Sequence, residues 1–214
     1  MSGKVRIVPS SVQRRRLAAG ASGLLALAGV LFMGEGIWIK AKAELAQILL
    51  ERAFSESLIS HQPVKPWRWA DTWPVARISV PRLNASAIVL ESASGQAMAF
   101  GPGHLVESAR PGERGTAVFA AHRDTHFAFL KDVKDGDEIV VTRDDGLTFT
   151  YVATGAEVVR FDQSGITANS QGRYLALATC WPFNSSVHGP LRYVVHAKLK
   201  ESRLFAGLAP DRPY

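Results

Sequence analysis

The pattern of hydrophobic and polar positions divides the chain into an apolar N-terminal run and a longer region of short strands. From Leu17 to Gly34 the sequence has 18 uncharged residues, and the apolar character continues past Glu35. At a helical rise of about 1.5 Å per residue, such a run nearly spans a hydrocarbon core of about 30 Å. The pattern therefore predicts a transmembrane anchor, which we place at residues 17–39.

Basic residues before the apolar run predict its orientation. Residues 1–16 end in three consecutive arginines, and basic residues are retained on the cytoplasmic side of a membrane. We therefore expect a basic cytoplasmic tail and a single pass through the inner (cytoplasmic) membrane, with the rest of the chain on the extracytoplasmic (periplasmic) side. A cleaved signal peptide is the alternative, because "AKA" at 41–43 resembles a cleavage site. The length of the run and the helical periodicity after it favour a retained anchor.

Residues 40–74 are predicted to form a short amphipathic stalk followed by a linker. The linker, 61–74, contains three prolines and three tryptophans. A flexible linker is rich in Gly and Ser, so this aromatic segment is expected to wrap onto the following domain. The predicted apolar face of the stalk consists of Leu45, Ile48, Leu49, Ala53 and Phe54.

From residue 75 to 200 the sequence predicts an all-β domain, followed by a C-terminal tail at 201–214. About eight short runs rich in β-branched and aromatic residues are separated by Gly, Pro and Asp, a pattern typical of a barrel or sandwich. Asp145-Gly146 predicts a hairpin turn, and residues 129–137 predict a short helical turn. The runs are 75–80, 85–91, 115–122, 137–143, 147–155, 156–161, 173–180 and 191–200.

Composition and charge narrow the possible functions. Hydrophobic residues make up 47% of the chain and charged residues 21%, as in a folded protein. The formal charge of +6 is nearly accounted for by five basic residues before the first apolar run, and the remainder has no basic stripe with interleaved aromatic residues. Nucleic acid is therefore not an expected partner. The single cysteine, Cys180, excludes an intramolecular disulfide.

Three chemically competent residues lie at strand ends. His122 closes one run, Cys180 closes another, and Arg192 opens the last. A cysteine needs a base or cation to form a thiolate near neutral pH, and acyl transfer needs donors for the oxyanion, which an arginine supplies permanently. Because Arg192 follows Cys180 by about a dozen residues, the two are expected to lie on antiparallel neighbouring strands.

Each residue also has a plainer interpretation. Cys180 could be a buried free thiol, and Arg192 a solvated strand charge. The i, i+4 spacing of His122 and His126 matches a helical zinc motif, but Arg123 stands where zincins carry Glu. We therefore expect no metal and a structural role for His126. No motif surrounds the remaining histidines in the strand region, His104, His188 and His196.

Several segments, in this order after an N-terminal anchor, resemble the sortases. They are "AHRDTHF" at 121–127, "LALATC" at 175–180 and "LRYVVHA" at 191–197, while "WRWADTWPVARI" at 67–78 and "GPGHLVESARPGERG" at 101–115 resemble the proteobacterial class called class GN.

The resemblance implies a closed eight-stranded sortase-type β-barrel and a His122–Cys180–Arg192 catalytic triad. It places Thr179 just before the nucleophile, with Trp181 and Pro182 beginning a loop that forms one wall of the substrate groove. Many sortases have Gly where this chain has Ala121, a change expected to alter only substrate fit. We therefore expect four substrate-binding residues: Ala121, Thr179, Trp181 and Pro182.

The resemblance also implies the reaction, a cysteine transpeptidation that needs no cofactor. The expected partners are a target protein with a C-terminal sorting signal resembling Leu-Pro-x-Thr-Gly, an amine acceptor, and membrane lipid around one transmembrane helix. Two alternatives stay open. One is a Cys-dependent cell-wall peptidase or L,D-transpeptidase, although the latter's usual Ser-x-Gly-Cys is absent from the sequence. The other is a non-catalytic membrane-tethered β-domain.

Overall fold

The computed structural model describes residues 11–185 and 189–200. They fall into two compact units that meet between Leu45 and Ala46. The N-terminal unit is helical. The second unit contains the end of the same helix, the linker and a β-barrel.

The first element, α1, runs without a break from Ser11 to Ser60. The sequence divided this region into an anchor and a stalk at residue 40, whereas the helix passes that point uninterrupted. Within it, Gly20–Ser60 contains a window with a mean hydropathy of 1.7, long and apolar enough to cross a membrane by length and composition. The predicted tail at 201–214 lies outside the described residues.

The last turns of α1 pack against the barrel, but through a face different from the predicted one. Leu50 and Phe54 are fully buried against Ile88 and Leu90, whereas Ile48 is 64% exposed. The true face is displaced by about one residue from the prediction, because Ala46 and Ser57, a small and a polar residue, point inward. The prediction for Leu45 and Ile48 was therefore wrong, while that for Ala53 and Phe54 is confirmed.

The linker wraps onto the barrel as expected. The Trp67 ring packs edge-on against Phe100, with centroids 5.1 Å apart, and Ala70 is buried. The Thr72 hydroxyl donates to the Glu91 carbonyl at 2.5 Å. The Trp67 ring, the buried Ala70 and the Thr72 hydroxyl thus hold this segment against the domain.

The barrel consists of eight strands within residues 74–185 and 189–199. They close in the order β1-β2-β3-β4-β7-β8-β6-β5. The β2–β3 and β4–β7 pairs are parallel and the others antiparallel. A short helix, α2, covers Gly95–Met98, and 3₁₀ turns cover Pro81–Leu83 and Ala128–Asp132. The strands are β1 Pro74–Val80, β2 Ala85–Glu91, β3 Gly103–His104, β4 Gly115–Ala120, β5 Glu138–Arg143, β6 Thr148–Arg160, β7 Arg173–Cys180 and β8 Leu191–Leu199.

Two features of the strand assignment differ from the sequence prediction. The runs 147–155 and 156–161 are one strand, β6, which bends at a register shift between Ala153 and Gly155. A bulge continues a strand where a glycine had been taken as its end. The eighth strand is the two-residue β3, too short to show any alternation. The hairpin at Asp145-Gly146 is confirmed, with Gly146 at φ +84°.

Side-chain alternation along β4, β7 and β8 separates two apolar layers. One set of residues fills the barrel interior, and the intervening set forms a smaller cluster on the outer face of the same strands. The interior set from these strands is Ala117, Phe119, Leu175, Leu177, Val195 and Ala197, and the outer set is Val118, Ala176 and Val194.

Candidate active site

The alternation of side chains that defines the outer set also applies to the three predicted catalytic residues. Successive residues of a strand point to opposite faces, so Cys180 shares the outer face with Ala176, and Arg192 shares it with Val194. His122 follows β4 by two residues and lines the same groove as Cys180 and Arg192. The fold therefore brings these three side chains together on one surface.

The register of β7 and β8 places Cys180 directly opposite Arg192. Residues directly opposed in an antiparallel pair have Cα atoms about 4.5–5.5 Å apart. The Trp181 N–H donates to the Leu191 carbonyl at 3.1 Å, which continues the pairing just past the cysteine. Cys180 itself is a free, partly exposed thiol.

His122 is held beside Cys180 by hydrogen bonds between β7 and the end of β4. The Ala121 N–H donates to the Ala178 carbonyl at 3.2 Å. The buried Thr179 hydroxyl donates to the Ala121 carbonyl at 2.7 Å. These two bonds extend the parallel β4–β7 pairing by one residue, so that the next residue, His122, is level with Cys180.

The Arg192 guanidinium is fixed by main-chain carbonyls. Its Nη1 donates to Gly189 at 3.0 Å and to Leu191 at 2.9 Å, and its central carbon lies 5.7 Å from the centroid of the Phe161 ring. Within the described residues, no hydrogen-bond acceptor and no carboxylate pairs with its Nε or Nη2. Those N–H groups remain available to a ligand in the groove.

The groove has a cavity of about 300 Å³ and a mainly apolar lining. Its floor is the outer face of β4, β7 and β8. The sequence prediction named Ala121 and Thr179, both of which line it, but missed the residues that arrive from outside the strands. Met98 comes from the end of α2, and the residues from loops are Leu105, Phe161, Ser164 and Ile166.

Comparison with known proteins connects this site to a family. A family model of the sortase domain matches residues 78–200, more than half of the chain. The chain belongs to the sortase family. The matched span contains the barrel strands from β2 onward and all three predicted catalytic residues of this sortase.

Its relatives come from several bacteria. Sortase D of Bacillus subtilis (strain 168) is 31% identical over 122 residues, or 56% of this chain and 61% of that protein. The present chain thus spans about three fifths of that relative's length. Sortase A from Corynebacterium diphtheriae is similar with a TM-score of 0.57 and 28% identity, over 63% of this chain and 64% of that one.

A Clostridium perfringens sortase D5 transpeptidase shares the fold, with a TM-score of 0.60, 21% identity, and coverage of 74% of this chain and 99% of that one. Together these relatives confirm the predicted sortase-type barrel. The narrower prediction that this sortase belongs to class GN stays a prediction.

His126 lies close enough to His122 for their charges to interact. Burial lowers the pKa of His126, and repulsion from a charged His122 lowers it further, while a hydrogen bond to the Ala99 carbonyl acts in the opposite sense. The contact with Ala99 joins the loop after β4 to the end of α2. Among the described residues, no group of three or more His, Cys, Asp or Glu side chains could hold a metal ion.

Trp181 and Pro182 do not line the described groove. Trp181 follows Cys180 and so points to the other face of β7, where it stacks on Tyr193 with ring centroids 5.7 Å apart. Phe183 packs edge-on against the same tryptophan. A contact between this loop and a bound substrate stays a prediction.

His104 has a structural environment that the sequence did not indicate. It is buried in β3, and its Nε2 lies 3.1 Å from the Ala109 carbonyl and 3.2 Å from the Ser108 hydroxyl. The Ser108 hydroxyl donates to the Leu105 carbonyl at 2.6 Å. His104 therefore fastens the loop after β3. His196 pairs with Glu157 at 2.9 Å, and His188 lies outside the described residues.

Proposed function

We propose that this sortase is a membrane-anchored cysteine transpeptidase. It cleaves a C-terminal sorting signal resembling Leu-Pro-x-Thr-Gly in a target protein and transfers the new carboxyl end to an amine acceptor. The observation that carries the proposal is the register that sets Cys180 opposite Arg192, with His122 at the end of the adjacent strand. Those are a nucleophile, an oxyanion donor and a proton carrier on one face.

In the first half of the reaction, the Cys180 thiolate attacks the carbonyl carbon of the Thr–Gly bond. A carbon–sulfur bond forms, and the carbonyl oxygen takes up negative charge. The free Nε–H and Nη2–H groups of Arg192 stabilise that oxyanion. The intermediate collapses by breaking the carbon–nitrogen bond, while His122 protonates the departing glycine amine.

In the second half, an amine attacks the Cys180 thioester. Neutral His122 removes the proton from the attacking nitrogen, an amide bond forms, and the thiolate leaves. An acceptor nitrogen in place of water is what separates a transpeptidase from a peptidase.

The groove and the N-terminal helix support the choice of substrate and location. An apolar cavity of about 300 Å³ suits the side chains of an extended peptide with Leu and Pro. A window of spanning length and apolarity in α1, preceded in sequence by the arginine cluster, supports an anchor in the inner membrane with the barrel on the periplasmic side.

The reaction is tested by product analysis with a peptide carrying the Leu-Pro-x-Thr-Gly signal. With a small amine such as triglycine at millimolar concentration, we expect product to shift from free acid to amide, and Cys180→Ala to give neither. Free acid alone with every amine tried, at a fast rate, would favour the peptidase alternative. No product and no thioester would favour a binding domain.

The membrane arrangement is tested separately. A reporter fused after Lys200 is expected to be active only if the reporter folds outside the cytoplasm. N-terminal sequencing of the mature protein then distinguishes the two interpretations of the helix. A chain beginning at Glu44 would establish cleavage and contradict the anchor.

A further inference from the structure

Phe161 is an aromatic residue left largely in solvent at the edge of the groove. It follows β6 directly, is 60% exposed, and lines the cavity with Cys180 and Arg192. A phenylalanine so exposed gains little from burial. The aromatic ring at this position therefore needs another physical explanation.

The ring is held against the Arg192 guanidinium. The separation of 5.7 Å between the guanidinium carbon and the ring centroid is within the range of about 6 Å for a cation–π contact. The Phe161 N–H donates to the Pro190 carbonyl at 2.9 Å, which continues the β6–β8 pairing. This bond fixes the Phe161 backbone relative to the start of β8, the strand that carries Arg192.

The other contacts that Arg192 makes with described residues are to main-chain carbonyls and not to carboxylates. Nη1 is occupied by two main-chain carbonyls. The acidic side chain next to Phe161 in sequence, Asp162, is bound instead by Arg160, at 3.0 and 2.9 Å. In residues 11–185 and 189–200 no carboxylate lies within ion-pair distance of Arg192.

We propose that Phe161 is a positioning residue that orients Arg192 without neutralising it, an inference that rests on the oxyanion role proposed above. A carboxylate would hold the guanidinium equally well, but it would occupy the N–H groups and cancel the charge that the oxyanion needs. An aromatic face attracts the cation through its quadrupole and leaves the N–H edge free. The loop that begins at Phe161, directly after β6, supplies that aromatic face.

The test compares Phe161→Leu, which removes the aromatic face, with Phe161→Tyr, which keeps it. For Phe161→Leu we expect kcat on the sorting peptide to fall about two- to fivefold, with a smaller change in KM. Phe161→Tyr is expected to retain wild-type kcat. In an Arg192→Lys background the Phe161→Leu effect is expected to disappear, because the two residues act as one unit.

Three kinetic results would overturn the inference. They are an unchanged kcat in Phe161→Leu, an effect confined to KM, which would indicate direct peptide contact, and an undiminished effect in the Arg192→Lys background. The NMR resonance of the Arg192 Nε–H in the resting enzyme gives a readout independent of activity. The Phe161 ring current is expected to shift it, and Phe161→Leu to remove that shift. A resonance that does not respond overturns the inference, whereas a wild-type enzyme that forms no thioester contradicts the proposed function instead.

Discussion

Two arginines of this sortase have contrasting surroundings. Arg82, in the 3₁₀ turn after β1, donates from Nε and Nη2 to the two carboxylate oxygens of Asp137, at 2.5 and 2.6 Å. Among the described residues, Arg192 donates to main-chain carbonyls, and it lies against an aromatic ring. The first guanidinium is paired with a carboxylate, whereas within the described part of the chain the second has no carboxylate partner.

The difference separates an arginine that joins two elements of the barrel from the arginine that we propose as the oxyanion donor. The bidentate pair ties the turn after β1 to the beginning of β5, and Arg82 also donates to the Asp132 carbonyl at 2.6 Å. Such a geometry directs the Nε–H and Nη2–H groups of Arg82 to its carboxylate and main-chain partners. Arg192 lines the groove together with Cys180, and its bonds to described residues come from Nη1.

The largest effect is expected from Arg192→Lys. A lysine keeps the charge but cannot present two coplanar N–H groups to one oxygen. Loss of such a donor typically costs on the order of 3 kcal/mol in the barrier, so kcat is expected to fall about a hundredfold. The measurement is kcat on the sorting peptide, with folding checked by circular dichroism.

Arg82→Lys is the matched control for that substitution. It breaks the bidentate pair with Asp137 at a residue that does not line the groove. We expect kcat to be retained and the melting temperature to decrease. The comparison breaks down if a folded Arg192→Lys variant keeps near-wild-type kcat, or if the two variants lose activity equally.

A smaller effect, on stability alone, is expected from Asp137→Asn. The Asp137 carboxylate accepts hydrogen bonds from Arg82 and, at 2.7 Å, from the Lys134 N–H. Hydrogen bonds to a charged group contribute about 1.5–3 kcal/mol, so the free energy of unfolding at neutral pH is expected to fall by roughly that amount. Urea denaturation measures it, and kcat is expected to stay unchanged.

The pH dependence of the same variant sharpens the test. Hydrogen bonding from Arg82 holds the pKa of Asp137 below its usual value. A depressed pKa in the folded state adds stability above the ordinary carboxyl pKa of about 3.9, and that stability is lost as the pH falls through the lower folded value. The difference in the free energy of unfolding between wild type and Asp137→Asn should therefore disappear below about pH 4. A gap that widens on acidification would contradict the assignment.

The smallest effect is expected from Thr179→Val. The change removes the hydroxyl that holds Ala121, and with it His122, beside the nucleophile. A buried carbonyl left without its donor costs about 1–3 kcal/mol, and kcat is expected to fall because His122 is then less firmly positioned. Thr142→Val is the control, because that hydroxyl pairs with Thr148 at an exposed position, at 3.0 Å. Equal effects of the two substitutions would remove the special role of Thr179.

The sequence was sufficient for those parts of the barrel where alternation is strict. The runs at 173–180 and 191–200 predicted β7 and β8, and the separation of Cys180 and Arg192 predicted that the two lie on antiparallel neighbouring strands. The ends of these runs, marked by Trp181-Pro182 and by Pro190, set the register that brings the two residues opposite each other. Local pattern and three-dimensional pairing agree here.

Prediction from the sequence failed for those elements and side chains whose positions depend on contacts with distant parts of the chain. β3 has two residues and exists only because β2 and β4 flank it. The buried face of α1 includes Ala46 and Ser57, which an apolar periodicity does not select. Phe161 and Met98 reach the groove from a loop and a short helix, and neither shows a periodicity that points to the site.

The most direct test of the central claim is the mass of the intact enzyme after reaction with the sorting peptide in the absence of an amine. If Cys180 is the acyl carrier, the protein gains the mass of the peptide's N-terminal acyl fragment, the adduct maps to Cys180, and triglycine releases it as an amide. Cys180→Ala gains nothing. Peptide cleaved at the Thr–Gly bond by wild type and Cys180→Ala alike, with no adduct on the cysteine, would contradict the account.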